Sequence, residues 1–136
     1  MANFIYKKTK EALLNGDIKV LDNELKVLLL NNNYTPNQNT DAFVSDIIPN
    51  SIVSRSNAIT NISSTLGILD ANDVKIDPFD GVSFKAIALY QSTGLDATSR
   101  LVFYIDTAPG LPFNGSNLIN TVTISWSDEP GKILFL

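Results

Sequence analysis

Alternation of side chains with a period of two runs through much of the chain and is clearest between residues 82 and 106. In VSFKAIALY, Val82, Phe84, Ala86, Ala88 and Tyr90 fall on one face of an extended strand, and Ser83, Lys85, Ile87 and Leu89 on the other. In RLVFYID, Leu101, Phe103 and Ile105 oppose Val102 and Tyr104. Both faces turn apolar toward the middle, which suits a central strand pair covered on two sides more than an edge. Between them QSTGLDATS, with Gly94 and Asp96, reads as an exposed hairpin loop.

Further strands are expected at residues 18–21 and 24–31, joined by an Asp22-Asn23 turn, and at 51–54, 58–69, 73–77, 118–127 and 132–136. In the second of these, Leu25, Val27 and Leu29 share one face, and Leu28 and Leu30 the other. Residues 4–14 are the helix candidate, with Ile5, Ala12 and Leu13 apolar and Asn15-Gly16 as the stop. NNNYTPNQNTD, residues 31–41, is the most polar stretch and reads as a surface loop carrying Tyr34. A helical turn is expected at 42–48, before Pro49, and a loop at 107–116. The expected fold is all-β: an antiparallel β-sandwich, jelly-roll or Ig-like, of eight or nine short strands with a short N-terminal helix. Residues 1–16 form an N-terminal arm and 17–136 a single domain.

Composition narrows the functional classes. The 136 residues carry a net charge of −4, and the sequence pI is about 4.6. Phosphate binding needs concentrated Lys and Arg, so nucleic acid is not expected as a partner. The charge is uneven: residues 1–10 hold Lys7, Lys8 and Lys10 and no acid, while the other 7 basic residues face all 14 acidic ones, a net −7. There is no Cys and no His, which removes disulfides, thiol nucleophiles and the commonest general base and metal ligand. The start, MANFIYKKTKEALL, lacks the apolar core of a signal peptide, and the longest apolar run is far too short to span a bilayer. A soluble chain made in a cytoplasm, without a membrane partner, is expected.

Candidate chemistry is sparse. Asp70, Asp73, Asp77 and Asp80 form the densest acidic group, yet DANDVKIDPFDG lacks the alternating acids and closing Glu of a calcium loop. Paired-carboxylate catalysis has no better support, and Ser92, Thr93 and Ser99 have no evident base. No catalytic residue, cofactor or metal is expected, and the chain is read as a non-enzyme. Tyr34, Tyr90, Tyr104 and Trp126 are the aromatics for a sugar platform, although three lie inside strong strand patterns and suit core packing better.

Three segments carry a resemblance: LLNGDIKVLDNELKVLLLNNNYTPNQNTDAFVSDI (residues 13–47), VSFKAIALYQSTGLDATSRLVFYID (82–106) and TVTISWSDEPGKILFL (121–136). Their order resembles a family of small virion structural proteins of tailed bacteriophages, capsid auxiliary or decoration proteins related to tail- and fibre-annotated ones. The resemblance implies synthesis in the bacterial host cytoplasm, a virion location with the capsid surface first, and the major capsid protein or other virion proteins as partners. A tail or fibre component is the alternative, and a carbohydrate-binding β-sandwich module, reading host-surface glycans, is another. Self-association is compatible with each. The net-basic N-terminal segment is the expected contact, with Phe4 and Tyr6 supplying apolar area, Lys7, Lys8 and Lys10 charge, and Tyr34 a second contact. As a docking arm, residues 1–10 would be dispensable for folding.

Overall fold

The computed structural model describes residues 3–18, 24–64, 66, 68–76, 79–108, 110–116, 121–126 and 134–135. Strand β1 (Asn3–Ile5) leads into helix α1 (Lys7–Asn15), followed by β2 (Glu24–Leu30), two 3-10 turns (Val44–Asp46 and Pro49–Ser51) and β3 (Ile52–Arg55). Then come β4 (Ile68–Leu69), β5 (Val74–Ile76), β6 (Ala86–Ser92), β7 (Arg100–Ile105), β8 (Val122–Ile124) and β9 (Leu134–Phe135). The protein is mainly β, all strand pairing is antiparallel, and one α-helix is present among the described residues. The main sheet runs β1-β7-β6-β2-β3, and β4–β9 and β5–β8 are two-stranded ribbons.

The expected central hairpin is central: β6 lies between β7 and β2. Its two faces feed two separate cores. Ile87 and Leu89 join Leu25, Val27 and Leu29 of β2 on one side; Ala86, Ala88 and Tyr90 join Leu28 and Leu30 on the other. Ribbon residues Val74, Ile76 and Val122, with Leu69, Phe79 and Phe84, cover the first face. Tyr6, Tyr34, Val44 and Ile47 cover the second. The near-continuous apolar run of Leu25–Leu30 follows from burial on both sides.

In β7 the alternation does not hold. Leu89 pairs with Phe103 but Tyr90 with Leu101, so Val102 is an extra residue, a β-bulge. The bulge sends Leu101 to the Tyr90 side and Phe103 to the Leu89 side, where period-two counting puts both together.

Three further expectations are corrected. The helix starts at Lys7, not residue 4, because Asn3, Phe4 and Ile5 pair with Ile105, Tyr104 and Phe103 along the edge of β7. Residues 1–16 are therefore not a free arm. The helix stop is as expected: Gly16 has φ 79°, its N–H donates to Leu13 O (3.3 Å), and the Asp17 N–H donates to Ala12 O (2.8 Å), a Schellman closure. Residues 58–69 do not form one strand. Ser56 and Ile59 N–H donate to Val27 O (2.9 Å) and Leu25 O (2.7 Å), keeping the chain beside β2. Asn61 (φ 60°) and Leu66 (φ 56°) then break the pleat with left-handed backbone. The strand expected at 118–127 is limited to Val122–Ile124 among the described residues. The expected strand at 18–21 beyond Ile18, the Asp22-Asn23 turn, Asp77-Pro78, the turn at 127–131 and the ends of the closing strand lie outside the described residues.

Candidate functional site

The residues expected to contact a partner divide into two groups. Phe4, Tyr6 and Tyr34 come together, but inside the protein. Tyr6 is 0% and Tyr34 4% exposed. Phe4 is half-buried, stacked on Tyr104 (5.3 Å between ring centroids) and edge-on to Tyr6 (5.2 Å). The expectation that Tyr6 and Tyr34 face a partner is thus overturned: both rings fill the core between the Asn-rich loop and the sheet. Aromatic rings bury large apolar areas, and each phenol here also finds a polar partner, the usual condition for burying tyrosine.

The polar loop 31–41 is what brings Tyr34 inward. Asn31 Oδ1 accepts the Asn33 N–H (2.9 Å), and Asn37 Oδ1 accepts those of Asn39 (3.1 Å) and Thr40 (3.2 Å), so the asparagines build turns. The Asp41 carboxylate accepts hydrogen bonds from the Tyr34 hydroxyl (2.8 Å) and the Asn37 N–H (2.9 Å). Tyr6 and Tyr34 hydroxyls lie 2.9 Å apart, and the Lys85 ammonium donates to Tyr34 O at 2.6 Å. The loop is a lid fastened over Tyr6.

This cluster makes the protein alkali-sensitive. Burial, first, raises the Tyr6 and Tyr34 phenols far above their ordinary value of 10.0, and burial with the Asp106 carboxylate nearby pushes Tyr104 up to about 12. A raised pKa means that the folded state holds the neutral phenol. The stabilisation is complete below pH 10 and is lost as pH climbs through 10 toward 12, because the unfolded chain ionises first. We expect cooperative unfolding in that window, coincident with phenolate absorbance, and a higher-pH midpoint for Tyr104→Phe. Stability unchanged between pH 9 and pH 12 would contradict the account.

Lys7, Lys8 and Lys10 are exposed on α1. The helix is held from beneath: the Thr9 hydroxyl donates to Leu101 O, and Thr9 and Ala12 are buried. The Tyr6 N–H donates to Val102 O (3.3 Å) and the Lys7 N–H to Gln38 O (2.9 Å). Lys8 pairs with Glu11 at 3.2 Å, an exposed i, i+3 contact of small energetic weight. The inner residues Thr9, Ala12 and Leu13, at spacings i, i+3 and i+4, are the sequence signal that fixes which side faces out.

Elsewhere the polar groups serve structure. Arg55 binds Asp96 through both nitrogens (2.7 and 2.8 Å), which holds the Asp96 carboxyl below its usual range and ties the hairpin loop to β3. Arg100 stacks over Phe43 at 4.9 Å. Ser99 donates to Leu95 O (2.8 Å). Asp73 accepts the Trp126 backbone N–H (3.0 Å), and the Trp126 indole donates to Asn72 O (3.0 Å). Asp77 lies outside the described residues, among which no three acidic side chains converge on a metal-sized site. Tyr34, Tyr90 and Tyr104, at 4%, 2% and 1% exposure, cannot form a sugar platform; Trp126 alone of the four is half-buried. Among the described residues no helix is long and apolar enough to cross a membrane. No family model matches the chain, and no curated protein sequence is similar to it.

Proposed function

We propose that this protein is a non-enzymatic structural component of a tailed-bacteriophage virion, an auxiliary or decoration protein that binds the outside of the capsid shell and stabilises it. One observation carries the reading: three lysines project from a helix locked to the central sheet, on a chain that is acidic elsewhere. A rigid charged projection suits repeated docking on a lattice, where weak contacts gain strength by acting together. The resemblance in residues 13–47, 82–106 and 121–136 points the same way.

The fold supports it through its layers. The ribbons β4–β9 and β5–β8 cover one face of the main sheet, and we read them as the second layer of a β-sandwich of jelly-roll or Ig-like type. A scaffold with both sheet faces filled by its own side chains offers neighbours its loops, edges and helix. The major capsid protein is the partner, and the capsid surface the destination after synthesis in the bacterial cytoplasm.

Immunogold labelling of phage particles with antibody against the purified protein tests this. Gold over the shell is expected. Gold confined to the tail moves the protein to a tail or fibre role. Unlabelled particles from cells that contain the protein remove the virion reading altogether. The combined variant Lys7→Glu, Lys8→Glu, Lys10→Glu is expected to keep its melting temperature and to lose on the order of tenfold in particle occupancy, as like charges meet across the contact.

A further inference from the structure

The outward side of α1 carries more than charge. At 3.6 residues per turn, Lys7, Lys10, Glu11 and Leu14 fall on one stripe, at spacings i, i+3, i+4 and i+7. Thr9 and Ala12, on the opposite side, are buried. The stripe ends in Leu14, whose exposure is 88%. A single bare leucine needs no explanation on most surfaces. Here it stands next to the most basic segment of the chain, beside lysines fixed in place by a helix that cannot turn over.

We propose that this stripe is a docking surface for a second copy of the chain, with Leu14 as its apolar centre and Lys7 and Lys10 set against the second copy's acidic body. Each copy carries both halves of the contact: three lysines in residues 1–10, and a net −7 in the remainder. Within one copy Glu11, Asp17 and Asp41 lie on or beside α1, but the densest group of acids lies away from it. α1 follows Tyr6 on the side of the sheet where Tyr6 packs with Leu101 and Tyr104. Asp70, Asp73 and Asp80 belong to the segment around β5, whose Val74 and Ile76 pack on the other side. The contact therefore joins unlike surfaces and repeats from copy to copy, instead of closing as a two-fold dimer.

Other anionic partners fit less well. A nucleic acid would be repelled by the acidic body and would meet Glu11 inside the stripe. A lipid surface requires a broad apolar helix face, and this nine-residue helix turns Thr9 and Ala12 inward and offers Leu14 outward.

Sedimentation velocity of the full chain over a wide concentration range tests the proposal. Weak, concentration-dependent association is expected at low ionic strength, diminishing as added salt screens the lysines. Leu14→Asp and the double variant Lys7→Glu, Lys10→Glu should each weaken it on the order of tenfold or more, at unchanged melting temperature. A wild-type chain that stays monomeric up to millimolar concentration overturns the proposal, as does association that both variants leave intact. Retention of labelled DNA or phosphatidylserine vesicles by the wild type, lost in the lysine variant, would reassign the stripe to a polyanion and overturn it equally. On the particle the same lysines are the shell contact proposed above, and Leu14→Asp separates the two: self-association lost with particle labelling unchanged leaves the shell contact standing, and the failure of either leaves the other measurable.

Discussion

Removal of residues 1–10 is expected to abolish a normal cooperative melting transition. The deletion takes away β1, which pairs with β7 through Asn3, Phe4 and Ile5. It also removes Tyr6, which is wholly buried against Leu101, Tyr104 and Tyr34. Truncating a buried aromatic costs about 3–5 kcal/mol, and the broken Tyr6–Tyr34 hydrogen bond adds about 1 kcal/mol. The Thr9 hydroxyl bond to Leu101 and the first turn of α1 go as well. Together these approach the whole stability of an ordinary domain, about 5–15 kcal/mol. Thermal unfolding followed by circular dichroism checks it: a truncated chain that melts within a few degrees of the full one would show that the segment is dispensable. Tyr6→Ala alone should reproduce most of the loss. Charge reversal at Lys7, Lys8 and Lys10 should reproduce none, and this separates what the segment does for the fold from what it offers a partner.

The second large effect is expected at Gly115. Its N–H donates to Ser83 Oγ at 2.9 Å, where the chain passes directly over the turn at residues 81–83. A Cβ at this position would overlap Gly81 O and come within 2.7 Å of Ser83 N, both backbone atoms that no rotamer change can move aside. The crossing lies beside the bridge between Phe84 and Phe113, whose rings stack at 4.7 Å and meet Phe79 edge-on. Separating the two backbones would pull Phe113 off Phe84. Gly115→Ala should therefore destabilise by about 3 kcal/mol, the upper end for overpacking, or roughly 10 °C in melting temperature. Gly94→Ala is the control. It introduces strain, since φ is 91°, but nothing lies within 4 Å of the new Cβ, so about 1 kcal/mol is expected. Equal, small shifts for the two variants would contradict overpacking at Gly115.

The sequence discloses those parts of the fold that depend on near neighbours. β2, β5 and β6 show in the alternation because each has at least one continuous apolar face, β7 shows as an apolar run, and Gly16 shows as a helix end because a left-handed residue is needed there. What stays hidden depends on distant partners. β1 is three residues long and becomes a strand only through the edge of β7. The bulge at Val102 is invisible to a period-two count, because both Leu101 and Phe103 remain apolar and buried whichever face they take. The alternation in residues 58–69 is genuine, but Asn61 and Leu66 turn the backbone, and Leu66 ends 88% exposed. At the candidate surface the lysines are legible as a charge cluster. The burial of Tyr6 and Tyr34 is not, since an aromatic beside cations looks the same in sequence whether it meets a partner or a lid built from the protein's own asparagines.

The pairing of β1 with β7 also sets an order of events during synthesis. Asn3 Nδ2 donates to Thr107 O, a residue 104 positions later in the chain. At ribosomal speeds of about 5–20 residues per second, the N-terminal strand leaves the ribosome roughly 5 to 20 seconds before the edge that receives it has been made. Through that interval Phe4 and Tyr6 have no native surface to cover, and contacts of such long sequence separation are the slowest to form. Residues 3–6, made long before β7, are thus among the last to settle, and the helix bearing Leu14 and the lysines reaches its outward position only once the β6–β7 hairpin is complete.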